Sequence, residues 1–204
     1  MTIPGDTLRY RFVTSWRIEG DVAEVAAILY NGADLPRWWP SVYVEATPSQ
    51  VGDDRGVGFT LEVHSKGWLP YHLHWTARIV EVDLPHGYTL EASGDFVGRG
   101  VWTLRQDGGF VDVTYDWEIL VEKPLLRRLY PVARPVFAAN HRWAMARGLE
   151  SLRLELARRH AASDAERDAI PAPPGPTPDL DARALGAVAA GAAFFLLLLR
   201  RRAG

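Results

Sequence analysis

The chain has 204 residues, 48% of them hydrophobic, with 23 Lys and Arg against 25 Asp and Glu, a composition that fits one folded domain with additions and excludes general disorder. It contains no cysteine, which excludes disulfides, thiolate metal sites and cysteine nucleophiles. Charge is uneven: residues 1–122 carry 9 basic and 18 acidic side chains, residues 123–159 carry 9 and 2, and residues 160–204 carry 5 and 5. That asymmetry suits either a basic helix packed on acidic strands or a face turned toward an anionic surface.

The N-terminus, MTIPGDTLRYRF, has no apolar run, so no secretory signal is read there. In LRYRFVTSWRIEG the residues Leu8, Tyr10, Phe12, Thr14, Trp16 and Ile18 share one face of a strand. Asp21 then serves as a helix N-cap with Glu24 three residues on, a capping box, and Val22, Val25, Ala26 and Leu29 form a short helical stripe. Asn31 and Gly32 end that helix, and Leu35 to Pro40 continue as a turn or a second short helix.

A series of strands follows: SVYVEATP, GVGFTLEVHS, YHLHWTARIVEVD, GYTLEAS, GVWTLRQD and FVDVTYDWEILV. In the third, Tyr71, Leu73, Trp75, Ala77 and Ile79 alternate with His72, His74, Thr76 and Arg78. In the last, Val111, Val113, Tyr115, Trp117 and Ile119 alternate with Asp112, Thr114, Asp116 and Glu118. Asp107-Gly108-Gly109 marks a hairpin between the last two. Such alternation implies an antiparallel sheet with one dry and one wet face.

From about residue 135 to 160 the period changes. Phe137, His141, Met145, Leu149, Leu152 and Leu156 lie three or four apart, one face of a long helix, with Pro131 and Pro135 before it or in its first turn. Five prolines between 171 and 178 then make an extended, solvated linker. The chain closes on AGAAFFLLLLRRRAG.

Strand, short helices, antiparallel strands and one long C-terminal helix, with Trp38-Trp39-Pro40 after the first helix and GRGVWTL in a late strand, resemble the START-like helix-grip superfamily (SRPBCC). The polyketide cyclase/dehydrase-like subgroup is the most similar. The likeness runs over about residues 8–158. It implies an α+β fold in which a curved antiparallel sheet wraps around the long helix and encloses a cavity. It implies no fixed catalytic residue, since the superfamily holds carriers, cyclases and receptors alike. The expected organisation is a ligand-binding domain over 1–160, a Pro-rich linker over 161–183 and an apolar C-terminal helix within 184–204.

With Phe12 and Val63, the expected inner wall comprises Trp16, Phe59, Leu61, Leu73, Trp75, Tyr115 and Trp117, faced by Phe137, His141 and Met145 from the helix. This wall suits a hydrophobic small molecule, lipid or polyketide-like, held by a few polar anchors; the same residues also suit a plain packed core. His141, on the apolar stripe, is the weak candidate for chemistry, as a buried hydrogen-bonded residue, a ligand anchor, or an acid/base group acting with Tyr115. His72 and His74 share the wet face, so no metal site is assigned. His64, His86 and His160 read as exposed, turn and helix-end residues. Arg99, between two glycines, reads as a solvated loop residue or an anchor for an acidic ligand at a cavity mouth. No GxSxG, HExxH, Walker or paired-Cys motif occurs, so no cofactor is expected. Nucleic acid is not an expected partner.

Three functions stay open: carrying or sensing a lipophilic molecule, cyclase or dehydratase-type catalysis, and service as a membrane-tethered scaffold. Ala184 to Leu199 is an uncharged run of 16 residues, about 24 Å as a helix against a ~30 Å hydrocarbon core, with three arginines able to snorkel beyond it. It reads as a tail anchor that keeps the domain in the cytoplasm and the basic 123–159 stretch near anionic lipid.

Overall fold

In the computed structural model, which describes residues 8–69, 72–121 and 130–179, the alternating segments become β1 (Leu8–Glu19), β2 (Tyr43–Gln50), β3 (Thr60–Lys66), β4 (His72–Asp83), β5 (Gly87–Gly94), β6 (Val97–Asp107) and β7 (Phe110–Val121). The helices are α1 (Val22–Tyr30), α2 (Leu35–Trp38), preceded by a 3-10 turn over Gly32–Asp34, then α3 (Tyr130–His160) and α4 (Asp164–Ala169). The strands form one sheet in the order β1-β7-β6-β5-β4-β3-β2. Every neighbouring pair is antiparallel. Helices α1 and α2 carry the chain from one sheet edge to the other. This is the expected α+β helix grip.

The register follows the alternation. Phe12 lies opposite Trp117, Thr14 opposite Tyr115 and Trp16 opposite Val113. Val63 lies opposite Trp75 and His64 opposite His74, so the tryptophan faces inward and the histidines outward. The outer face of β1 and β7 is laced by ion pairs, among them Arg11 with Asp116 at 2.5 Å and Arg17 with Asp112 at 2.7 Å.

One half of the concave face is sealed. Ile18, Val111, Val113, Leu104 and Leu152 are at most 2% exposed, each contributing about 1.5–3 kcal/mol through burial. The Trp38-Trp39 corner locks this half. Trp39 lies against Gly148 so closely that a Cβ there would stand 2.3 Å from its ring. Beside it Arg37 reaches both oxygens of Glu155 at 2.7 Å, and Arg159 adds a third bond at 2.9 Å. Burial pushes the Glu155 carboxyl up, but the two guanidiniums outweigh it and hold it below the usual range.

Several expectations are corrected. Asp21 caps α1 by accepting from the Ala23 and Glu24 amides, but Glu24 does not complete a capping box. Its carboxylate is drawn to His160 at 2.8 Å, while the side chain of Gln106 accepts from the Val22 amide. Helix α3 begins at Tyr130, so Pro135 lies inside it rather than at its first turn. Arg99 is no loop residue. It sits in β6, whose residues pair on both sides, and its guanidinium meets Glu81 on the outer face at 3.0 Å. The linker begins as α4, capped by Ser163, and its extended part is pinned at its far end by Thr177 and Asp179, because Lys66 and Gly67 offer buried hydrogen-bonding partners. The expected apolar helix within 184–204 lies outside the described residues. Among those described, no helix is long and apolar enough to cross a membrane.

Candidate functional site

Beside residues 137–141 of α3 the inner face is covered less completely by the described residues. Phe12, Thr14, Trp75, Phe96, Tyr115 and Ile119 point inward from the sheet yet remain half-buried. Their rings form one continuous surface. Tyr115 stacks on Trp102 with centroids 4.1 Å apart, Trp117 meets Tyr115 and Phe96 at 5.8 Å each, and Phe96 meets Trp75 at 5.2 Å. Two glycines make this packing possible. Gly98 and Gly100 occupy alternate inner positions of β6, opposite Ile119 and Trp117. A Cβ on Gly100 would lie 2.7 Å from the Tyr115 hydroxyl and 3.0 Å from the Trp117 ring. The missing side chains give the two large rings their floor.

Helix α3 is clasped to this surface from both sides. His141 places Nε2 3.2 Å from Thr14 Oγ1 on β1 and stacks on Phe12 with centroids 4.6 Å apart. One turn earlier, Phe137 meets Tyr10 edge-on at 5.8 Å. The adjacent Asn140 turns the other way and accepts hydrogen bonds from the Trp68 and Leu69 amides, at 3.0 and 3.4 Å. Successive residues of one helix therefore reach opposite ends of the sheet, and the aromatic cleft lies between the two clasps.

Three described titratable groups on this surface, His141, Tyr43 and Tyr115, are uncharged at neutral pH. Burial, aided by Arg142, pushes His141 down to about 4. Burial pushes the Tyr43 hydroxyl up to about 12 and the Tyr115 hydroxyl well above its ordinary value, the latter with help from Tyr43 and Tyr88. Ser65 accepts the Trp75 indole N–H at 3.0 Å. The result is an apolar wall with a few neutral hydrogen-bonding groups.

The expected site residues divide between two surroundings. Trp75, Tyr115, Phe137 and His141 border the open half, and the buried Trp117 underlies it. Leu73 stands at its edge, across from Ser65. Trp16 is instead enclosed between Trp39 and Trp102 at 6.1 and 5.6 Å, and Met145 is equally buried. Leu61, with Phe59 packed beside it, lies under the 3-10 turn, where it crowds Gly32. The partner of His141 is Thr14, not Tyr115. Phe96, Tyr43 and the two β6 glycines were not expected to take part. Glycines at alternate positions in VGRGVW were the available signal.

Three histidines, His64, His72 and His74, gather on the outer face. His64 Nε2 lies 2.7 Å from His72 Nδ1, and its ring stacks on His74 at 4.3 Å. A hollow of about 310 Å³ opens beside them, bordered by Glu45 and Glu62. Among the described residues no group of His, Cys, Asp or Glu is arranged to hold a metal ion. A wider open groove of about 590 Å³ runs between Gly20, Gly109 and Arg153. No Phe, Tyr or Trp lines it, and His141 is not among its lining residues.

A family model described as polyketide cyclase/dehydrase and lipid transport matches residues 9–157. No curated protein sequence matches the chain. Among solved structures it is similar to the Zhui aromatase/cyclase from Streptomyces sp. R1128, with a TM-score of 0.62 at 12% identity, over 77% of this chain and 99% of that one. A protein from Thermus thermophilus gives a TM-score of 0.60 at 14% identity, over 72% and 99%. Norcoclaurine synthase from Thalictrum flavum, solved with dopamine and hydroxybenzaldehyde, gives 0.52 at 14% identity, over 80% and 98%. At these identities the likeness establishes the fold.

Proposed function

The chain belongs to the polyketide cyclase/dehydrase and lipid transport family, and from that membership we propose that it binds and carries a hydrophobic, ring-bearing small molecule in the open half of its grip. The observation that carries the reading is the incompletely buried aromatic surface of Phe12, Trp75, Phe96 and Tyr115. Water-exposed rings on a concave face favour an apolar ligand, because covering them recovers roughly 25 cal/mol for each Å² removed from water. His141 and Tyr115 supply neutral anchors that fix its orientation.

A cyclase or dehydratase-type reaction is the second reading, supported by the family and by the His141–Thr14 contact. General acid/base work favours a group that titrates near the working pH. A histidine held at about 4 is a poor proton donor at neutrality, and this weighs toward binding. The residues 184–199 support a third element of the reading: a C-terminal membrane attachment that keeps the carrier close to a source of lipophilic ligand.

The experiment is a fluorescence titration of the full chain with 1-anilinonaphthalene-8-sulfonate at neutral pH. Saturable binding at one site supports the reading. A signal that rises without saturation, as on any exposed apolar surface, contradicts it.

A further inference from the structure

The C-terminal segment after α4 returns to the domain at the end of β3, beside the cleft. Lys66 is only 6% exposed, unusual for a lysine. Its ammonium donates to the Thr177 carbonyl at 2.7 Å and to Asp179 Oδ1 at 2.5 Å. The Thr177 hydroxyl donates to the Gly67 carbonyl at 2.8 Å, and Asp179 also meets His72 Nε2 at 3.0 Å. Lys66 holds the Asp179 carboxyl below its usual range, with His72 adding to the effect.

The residues gripped in this way continue directly into the clasp of the cleft. Gly67 lies against Asn140 so tightly that a Cβ would approach its side-chain oxygen to 2.2 Å. The next two amides, of Trp68 and Leu69, are those that donate to Asn140 Oδ1. Residues 67–69 are thus held on one side by the Asn140 clasp and on the other by the C-terminal segment. Asn140 is the neighbour of His141, which closes the opposite side of the cleft.

We propose that residues 171–179 act as a strap that holds residues 67–69 against α3 and so sets the rate at which ligand enters and leaves the cleft. The inference rests on the ligand-binding reading for its consequence, but not for its mechanics. With the strap in place, the bridge between the β3 end of the sheet and Asn140 is braced from behind by a buried cation and a carbonyl. With the strap released, Lys66 loses its anionic partner and Gly67 its hydroxyl donor, and the bridge is left to the Asn140 contacts.

The test uses the full chain with Asp179→Ala and the double variant Thr177→Val/Asp179→Ala. Asp179 is 73% exposed, and the two changes alter no side chain of the hydrophobic core, removing only the contacts to Lys66, Gly67 and His72. Hydrogen exchange at the Trp68 and Leu69 amides is expected to quicken by roughly tenfold, the scale of a lost charge-assisted hydrogen bond, while the β1–β7 amides keep their protection. Dissociation of bound 1-anilinonaphthalene-8-sulfonate is expected to quicken by a similar factor. Unchanged exchange at residues 68 and 69 in both variants overturns the strap, and this readout needs no ligand. Quicker exchange with unchanged probe dissociation overturns its control of the cleft. Failure of the parent chain to bind the probe saturably is a separate result: it refutes the ligand-binding reading and with it the strap's control of entry, while exchange still decides whether the strap holds the loop.

Discussion

Acidification should cost the parent chain more stability than it costs a His141→Gln variant. Burial holds His141 at about 4 in the folded chain, against an ordinary value of 6.5. Between those values the unfolded chain takes up a proton that the folded chain refuses. Stability is therefore lost as pH falls through 6.5, and the loss is complete below about 4. Each tenfold difference in proton affinity is worth about 1.4 kcal/mol, so the full loss is about 3 kcal/mol. Between about pH 7 and about pH 4.5 the expected loss from this one group is about 2 kcal/mol. Carboxylates such as Asp116 and Glu155, which are held below their usual range by arginines, also lose stabilisation as they protonate in acid. They do so equally in both chains, so the difference isolates the histidine. Urea unfolding at the two pH values, read by tryptophan fluorescence, measures it. Parallel losses in parent and variant would refute the argument that the imidazole is buried and neutral.

Gly100→Ala places a methyl group 2.7 Å from the Tyr115 hydroxyl and 3.0 Å from Trp117. It should lower stability by about 1–3 kcal/mol in thermal unfolding and shift the near-UV circular dichroism of the ring cluster; a cost below about 0.5 kcal/mol would mean the rings move aside freely. A chain ending at Asp179 keeps the strap and removes the apolar run. Cell fractionation should find the full chain with membranes and the shortened one in the supernatant, and equal partition of the two would remove the anchor from the account.

The period-2 alternation made the two faces of the sheet legible, because a shift by one residue would have turned Trp75 outward and His72 and His74 inward. The long helix was equally plain from the spacing of Met145, Leu152 and Leu156, all buried. What escaped was whatever depends on pairs distant in sequence. His141 and Thr14 are 127 residues apart, and periodicity places each on a face without saying which residues meet. The same holds for Asn140 with the Trp68 amide and for Lys66 with Asp179, 113 residues away. A proline-rich segment reads as a free linker because proline cannot extend a helix or a ladder. Nothing in that composition discloses a buried lysine waiting for its carbonyl and carboxylate. Which wall residues border the open half was also illegible, since Trp16 and Trp75 share the same pattern and differ only in what α2 and α3 lay over them.

The central claim is that the ligand sits on the inner aromatic face, and adjacent residues on opposite faces of β4 test it directly. Trp75 points into the cleft, whereas Thr76 points outward and bonds Glu62 at 3.0 Å. Titrating the parent chain, Trp75→Ala and Thr76→Ala with 1-anilinonaphthalene-8-sulfonate should give tight saturable binding to the parent and to Thr76→Ala. Binding to Trp75→Ala should be weaker by roughly tenfold or more, the equivalent of ~1.4 kcal/mol of lost contact. Equal affinity in all three chains, or a larger loss in Thr76→Ala, would place the ligand elsewhere and contradict the account.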